Sequence, residues 1–430
     1  VKVLVVGNGG REHALAWKLL QSPKVDQIIC IPGNGGTASM QRCQNVALNV
    51  QDFEGIARFA LVNGVALIVV GPEAPLAAGI TDYLRQQHLT VFGPTREAAQ
   101  IEASKAWAKD LMQEARIPTA DAVPFTDELA ALSYVKTHRL PIVIKVDGLA
   151  AGKGVTVAAT MEEAEAAIAN AFDGKFGNAG NLVVIEDYLA GQEVSVLALT
   201  DGLTIRPLLP AQDHKRIGDG DTGANTGGMG AYAPAPLVTP ALMERIQQDI
   251  LQPAIAALQR RHIDYRGVLY AGLMITPAGD PMVIEFNCRF GDPETQAILP
   301  LLDTPLEDLL LACAEQKLAE QPAIAWKAGV SVCVVVAAQG YPDEYQTGLP
   351  ISGIDAAESE GAIVFHAGTQ LKKTGLTSSG GRILGVTAVS DQFNTAIDQA
   401  YAAIQSIQLE GMYYRRDIGH QVNPVNSASS

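Results

Sequence analysis

Over its first hundred residues the chain alternates short apolar runs with helical patterns, and this alternation narrows its fold more than any other feature. The runs Val3–Val6, Ile28–Ile31, Leu67–Val70 and Val91–Phe92 each end in Gly or Pro. Between them, Arg11–Gln21, Asp52–Asn63 and Leu76–Gln87 read as helices. Strands alternating with helices indicate a parallel sheet with helices on its faces. Such sheets bind ligands beyond the carboxyl ends of their strands. Here those ends read GNGGREHA, PGNGGTA, GPEAPL and GPT.

The first turn resembles a dinucleotide fingerprint but fails its spacing. Gly7 and Gly9 are present, yet the third glycine would fall on Glu12, and the second strand ends in Ile31-Pro32-Gly33 with no acid for a ribose. A bare Gly-x-Gly is weak evidence. What remains is a glycine turn at a helix N-terminus, a ready phosphate site, with Gly9, Gly10 and Arg11 as its members.

A second unit follows. Thr95–Arg116 is a long helical pattern carrying Lys105, Thr126–His138 is a shorter one, and Pro141–Val146 reads as a strand. The loop Asp147–Gly154, DGLAAGKG, separates that strand from Val155–Ala158. Helix Met161–Phe172 and strands Leu182–Ile185 and Glu193–Leu199 complete a small α+β unit. A glycine loop between strands can fold over phosphates and present backbone amides. It is not a Walker loop, because no Gly-Lys-Ser/Thr opens a helix. Lys145 at the strand end and Lys153 in the loop can reach a phosphate as point charges.

Gln212–Ala233 is glycine-dense and nearly free of aliphatic residues, and Asp213, His214, Lys215 and Arg216 stand at its start. A loop this long without regular structure is expected to be functional. Helix Thr239–His262 follows, with a kink expected at Pro253. Strands Val268–Ile275 and Met282–Phe286 then lead into EFNCRFGDPETQ. Strand alternation points Glu285 and Asn287 the same way. A carboxylate and a carboxamide suit magnesium, which takes oxygen ligands and prefers bound phosphates to a full protein cage. Arg289 beside them suits a phosphate or carboxylate. After Trp326, the apolar run Val330–Ala337, strands Ile363–Ala367 and Ile383–Val389, and helix Gln392–Ile407 form a smaller unit. Gly380-Gly381-Arg382 precedes one of these strands and is placed to lean into the site.

Composition sets limits. A net charge of −15 argues against a nucleic-acid binder, which would show a basic field. No stretch reaches the ~20 apolar residues of a membrane span. The start, VKVLVVGNGG, lacks the charged head and cleavage site of a signal peptide, so a cytoplasmic enzyme is expected. The five scattered cysteines fit buried free thiols better than disulfides or zinc.

The order of parts resembles the ATP-grasp ligases. Within them, GNGGREHALAW, GPEAPL, GLAAGKGV, NTGGMGAY and RFGDPE resemble the phosphoribosylamine–glycine ligase family over almost the whole chain. The resemblance implies an α/β and α+β multidomain fold. Its expected parts are an N-terminal parallel-sheet domain (1–104), an ATP-grasp core (105–122 and 189–326), a lid (123–188), a small C-terminal α+β domain (327–421) and a disordered tail (422–430). It also implies the single-activity bacterial form, acting as a monomer or weak homo-oligomer.

The implied reaction joins glycine to 5-phosphoribosylamine with ATP, through glycyl phosphate, in purine biosynthesis. The implied cofactors are ATP and Mg2+ or Mn2+. Glu285 and Asn287 would hold the metal. Lys105, Lys145, Gly152, Lys153 and Gly154 would meet phosphates or purine. The backbone of Glu186–Leu189, including Tyr188, would meet the adenine edge, and Glu193 the ribose hydroxyls. Lys215 would neutralise the acyl phosphate, and Arg289 would bind the glycine carboxylate or the phosphoryl group. Asp292, Glu73 and Asp213 would bind substrate, and the Gly9-Gly10-Arg11 turn the 5-phosphate. Neither His13 nor His214 is marked as a base. Many ATP-grasp enzymes carry a further acidic metal ligand on the preceding strand, but here that strand reads VLYAGLMIT. Two alternatives are another ATP-grasp ligase and a non-catalytic nucleotide-binding regulator. RFGDPE opposes the first, and the retained metal and phosphate residues oppose the second.

Overall fold

The computed structural model describes residues 1–150 and 152–422, so most of the tail expected at 422–430 lies outside the described residues. β1 (Lys2–Gly7), β2 (Gln27–Pro32), β3 (Cys43–Asn45), β4 (Leu67–Val70) and β5 (Val91–Phe92) form a parallel sheet in the order β3-β2-β1-β4-β5. The apolar runs are continuous because both faces are covered. Leu4 and Val6 enter one core cluster, and Val3 and Val5 enter another. The expected helix Leu76–Gln87 is instead two, Glu73–Ala78 and Ile80–Gln86, broken at Gly79 with φ +96°.

The long pattern Thr95–Arg116 is also broken. Ser104 is extended, and its hydroxyl caps the Trp107 N–H, so Lys105 opens the helix Lys105–Glu114. Next, β6 (Ala122–Phe125), β7 (Ile142–Val146), β8 (Val155–Ala158) and β9 (Val183–Asp187) form an antiparallel sheet ordered β6-β9-β7-β8. Helices Glu128–Lys136 and Met161–Phe172 supply side chains to its separate core, which includes Val135, Ile144, Ile168 and Ile185.

β10 (Gln192–Thr200) and β11 (Ile205–Pro207) begin the third sheet. The segment 212–233 is not the irregular loop expected. It contains β12 (Gln212–Asp213), the hairpin β13 (Arg216–Gly218) and β14 (Thr222–Asn225), and β15 (Gly230–Ala233). Arg415, fully buried, pins the hairpin by donating to the Arg216 carbonyl and to Asp221. In the long helix after Thr239, a π turn at Gln247–Leu251 joins Pro240–Ile246 to Gln252–Arg260. Pro253, which lacks an N–H, follows directly on this π turn, where the α-helical bonding pattern is already interrupted.

β16 (Gly267–Ile275) and β17 (Pro281–Asn287) complete the antiparallel order β11-β10-β16-β17. Then come β18 (Val330–Ala337), β19 (Ile363–His366), the hairpin β20 (Thr369–Lys372) and β21 (Gly375–Ser378), and β22 (Arg382–Ser390). The C-terminal strands share a sheet with the glycine-rich segment, in the order β12-β15-β18-β22-β19. The same region contacts the N-terminal helix Gly10–Leu19 through His13 Nδ1, which accepts from the His366 N–H at 2.7 Å. All five cysteines are free thiols. No helix among the described residues is long and apolar enough to cross a membrane.

Candidate active site

A cavity of about 1220 Å³ is lined by residues from the N-terminal, lid and core sheets and from the C-terminal region. Every residue selected from the sequence lines it except Gly9 and Gly10. Its floor is the end of β17. Register places Gly272 opposite Glu285 and Tyr270 opposite Asn287, so β16 supplies no second acid. A Cβ on Gly272 would stand 3.3 Å from Glu285 Cγ, so the glycine leaves that carboxylate room.

Burial would raise the Glu285 carboxyl, but Lys215, then Lys145, Lys105 and Arg289 outweigh it and hold it below the ordinary range. Among the described residues, no group of three or more His, Cys, Asp or Glu side chains could enclose a metal ion. Two hard oxygen donors ringed by four cations fit a magnesium ion that shares its shell with phosphate oxygens.

The lysines arrive from separate elements. Lys105 Nζ donates to the Gly148 carbonyl at 2.9 Å, and Asp147 accepts from the Ala106 N–H at 3.0 Å and from Ser104 Oγ at 3.1 Å. These bonds fasten the root of the glycine loop to the helix N-terminus. Lys145 Nζ pairs with Glu186 Oε2 at 2.9 Å and donates to the Ile284 carbonyl at 3.0 Å. Glu186, 4% exposed, also faces Lys109 at 3.5 Å, so its side chain is engaged by two lysines. Tyr188 remains exposed. Lys215 and Glu193 pair with each other at 3.1 Å, and Glu193 above all raises the Lys215 ammonium.

Arg289 sits between two acids. Its Nη2 donates to Glu102 Oε1 at 2.9 Å, and its Nε lies 3.3 Å from Glu73 Oε2. Burial opposes the Arg289 charge, but Glu102 and Glu73 raise its affinity for the proton. Asp292 accepts from Gln296 Nε2 at 2.8 Å and from the Arg11 N–H at 3.3 Å, and Arg382 lies 3.6 Å away. Burial would raise its carboxyl, but Arg382 and Arg11 hold it down.

The Gly9, Gly10 and Arg11 turn, expected to take a phosphate, carries carboxylate partners of its own. The Gly9 N–H donates to Glu12 Oε2 at 2.7 Å and the Arg11 N–H to Asp292, so two carboxylates occupy the turn. The Arg11 guanidinium is held by Glu12 Oε1 at 2.6 Å and the Phe290 carbonyl at 3.1 Å. The physical reason is a capping contact, because Glu12 stands three residues after the cap and reaches back to it. A phosphate there would have to displace both acids.

Several lining residues were not selected as site residues from the sequence: Glu102, Lys109, Tyr270, Glu294 and Arg382. Lys109 carried a signal, since it lies one helical turn after Lys105. Burial brings its ammonium down to about 8. Arg382 followed a noted Gly-Gly pair, and Glu294 lay within the motif. Glu102 had no local signal.

Family models match most of the chain. They are phosphoribosylglycinamide synthetase N domain over 1–102, its ATP-grasp (A) domain over 103–295 and its C domain over 331–421. The chain is 66% identical to phosphoribosylamine–glycine ligase of a Nostoc species, covering 98% of this chain and 100% of that protein. It is 54% identical to the ligase of that name from a Synechocystis species, covering 98% and 100%. A solved structure of phosphoribosylamine–glycine ligase from Thermotoga maritima superposes with TM-score 0.84 at 32% identity, over 97% of this chain and 100% of that one. A Hydrogenobacter thermophilus biotin carboxylase domain, solved with MgADP and bicarbonate, shares the fold with TM-score 0.70 at 18% identity, over 96% and 91%. Carrying all three domains in order around an ATP-grasp cavity, the chain belongs to the phosphoribosylglycinamide synthetase family.

Proposed function

We propose that the cavity joins glycine to 5-phosphoribosylamine, consuming ATP and giving glycinamide ribonucleotide, ADP and phosphate, a step of purine biosynthesis. A carboxylate does not acylate an amine at neutral pH. Transfer of the γ-phosphoryl group to the glycine carboxylate creates a mixed anhydride. The amine nitrogen of phosphoribosylamine then attacks the carbonyl carbon, the C–O bond to phosphate breaks, and the nitrogen loses a proton. The enzyme's work is positioning and charge neutralisation.

One observation carries this reading: Glu285 lies among Lys215, Lys145, Lys105 and Arg289, a cationic ring suited to a triphosphate. Glu285 and Asn287 would hold magnesium or manganese, whose contribution there is to neutralise phosphate oxygens. Lys105 and Lys145 contact the phosphates, and Lys145 must exchange its partners Glu186 and Ile284 to do so. The Glu186–Leu189 backbone receives the adenine, and Glu193 the ribose. Gly152, Lys153 and Gly154 cover the phosphates when the loop closes, which excludes water from the acyl phosphate. Lys215 and Arg289 hold the transferred group and the glycine carboxylate. Asp292 and Glu73 hold the phosphoribosylamine from opposite sides. In this assignment, 123–188 is the lid, 105–122 with 189–326 the core, 1–104 the acceptor side and 327–421 the C-terminal wall.

A coupled ADP-release assay tests the reaction. ADP should appear only with glycine and phosphoribosylamine together. Turnover with bicarbonate in place of glycine would refute it.

A further inference from the structure

The strand end PGNGGTA, residues 32–38, has no part in the reaction as assigned above, and none of these residues lines the cavity. Asn34 caps the short helix Gly35–Ser39 and is 5% exposed, and both ends of its amide are engaged. Its Oδ1 accepts from the Gly36 and Thr37 N–H groups at 2.9 and 3.1 Å, the ordinary work of a helix cap. Its Nδ2 faces the carbonyls of Asn8 at 3.0 Å, Gly9 at 3.3 Å and His366 at 2.8 Å. A cap needs only an acceptor. The donor end of Asn34 is surplus to that task, and it joins the turn after β1 to the end of β19.

The two glycines after Asn34 allow this joint to close. A Cβ on Gly35 would stand 2.8 Å from Thr369 Oγ1, and one on Gly36 would stand 2.7 Å from His366 Cγ. The Gly35 N–H also donates to Thr369 Oγ1 at 3.1 Å. The turn that Asn34 grips leads to the acceptor side of the cavity. Its Arg11 N–H donates to Asp292 Oδ2 at 3.3 Å, and a Cβ on Gly9 would stand 3.2 Å from the same oxygen. The turn and the Asp292 carboxylate are therefore packed without slack, and a shift of one moves the other. Arg382, from β22, approaches Asp292 to 3.6 Å. The N-terminal sheet domain and the C-terminal region thus meet at this one acid, and Asn34 fixes their relative placement.

We infer that Asn34 is a positioning residue for the acceptor: its Nδ2 clamps the Asn8–Gly9 turn against the end of β19, and the turn in consequence holds Asp292 where phosphoribosylamine binds. This deepens the function proposed above and rests on it. Asn34 touches no substrate and acts only through the turn. A carboxylate that must meet one ligand in one geometry needs its supporting shell fixed, because small displacements cost binding and rate. The glycine-rich strand end that looks like an anion loop is on this account an interdomain joint.

Asn34→Asp separates the two roles. It keeps the acceptor bonds of the cap but turns a carboxylate oxygen toward three carbonyls. Asn34→Ser is the uncharged counterpart, since a serine hydroxyl also caps a helix. Asp52→Ala is the control. Asp52 caps the helix Phe53–Val62 of the same domain by accepting from the Gly55 N–H at 2.9 Å, and its side chain makes no bond to the turn. Calorimetry with glycinamide ribonucleotide reads the acceptor side, and calorimetry with MgADP reads the nucleotide side. Both Asn34 variants should raise the glycinamide ribonucleotide Kd about tenfold or more, as loss of buried hydrogen bonds predicts. Their MgADP Kd should stay within about twofold. In steady state the phosphoribosylamine KM should rise while the ATP KM holds within about twofold. Asp52→Ala should lower the Tm and leave both Kd values within about twofold. An unchanged glycinamide ribonucleotide Kd in a folded Asn34 variant would overturn the positioning role. So would a parallel loss of MgADP affinity, or an equal loss in Asp52→Ala, because either marks general destabilisation. If the wild-type enzyme bound MgADP but not glycinamide ribonucleotide, the parent reaction would fall, and the role of Asn34 with it.

Discussion

Glu102→Gln isolates a residue that is 187 positions from its partner Arg289. In the wild type, one carboxylate oxygen accepts from Arg289 Nη2 at 2.9 Å and the other from the Cys288 N–H at 2.8 Å. At that separation the ion pair amounts to about 6 kcal/mol with an effective dielectric constant of ~20. The gain is largely cancelled by desolvation. Burial raises the Glu102 carboxyl despite Arg289, so the folded protein holds that proton more tightly than the unfolded chain does. Above the folded value, the charge therefore works against stability, and its removal at neutral pH relieves a cost.

A carboxamide can accept from only one of the two donors. The variant thus loses one hydrogen bond to a charged group or leaves one N–H unpaired, about 1.5–3 kcal/mol. Glu73, 3.3 Å from Arg289 Nε, still balances part of the charge but does not replace the bonds to Nη2 and to the Cys288 N–H. If the loss falls on the orientation of Arg289 in the transition state, kcat/KM should drop roughly 10- to 150-fold. Stability should change by less than about 2 kcal/mol, since the lost bond is offset by the relieved burial cost. Steady-state kinetics and a thermal scan on the same preparation measure both. Activity within about threefold of wild type in a folded variant would refute the reasoning, and so would a collapse in Tm.

Other outcomes follow from the same geometry. Glu285→Gln should raise the magnesium concentration for half-maximal activity by about tenfold or more, and an unchanged midpoint would remove Glu285 from the metal. Arg415→Ala should cost about 3 kcal/mol and lower the Tm by several degrees at neutral pH, because it strips a fully buried charge from Asp221 and Asp417. Although burial opposes it, Arg415 and the Gly220 N–H hold the Asp417 carboxyl far below its usual value. A depressed carboxyl adds stability above its unfolded value of about 4 and loses it as pH falls toward the folded value. The Tm gap between Arg415→Ala and wild type should therefore narrow below about pH 4. A gap that widens in acid would contradict the assignment.

Much of this protein was legible in short windows of sequence. Apolar runs ending in Gly or Pro located the N-terminal parallel sheet, because a strand buried on both faces needs only a continuous apolar stretch. Strand alternation put Glu285 and Asn287 on one side of β17 before any neighbour was known. The lysines and the glycine loop were visible because phosphate chemistry calls for those residue types.

What depends on packing between distant segments was not legible. Gln212–Ala233 looks irregular by composition, yet β15 pairs with the distant β18, β12 pairs with β15, and β13 and β14 pair with each other. The Gly9–Arg11 turn looks like an anion site until Glu12 and Asp292 fill it. Glu102 shows no periodicity or motif, and only the fold brings it to Arg289. The chain's local pattern thus determined which elements form and which side chains carry charge. The tertiary structure decided which charges are paired with which, such as Arg289 with Glu102, because a buried charge is defined by neighbours that lie far away in sequence.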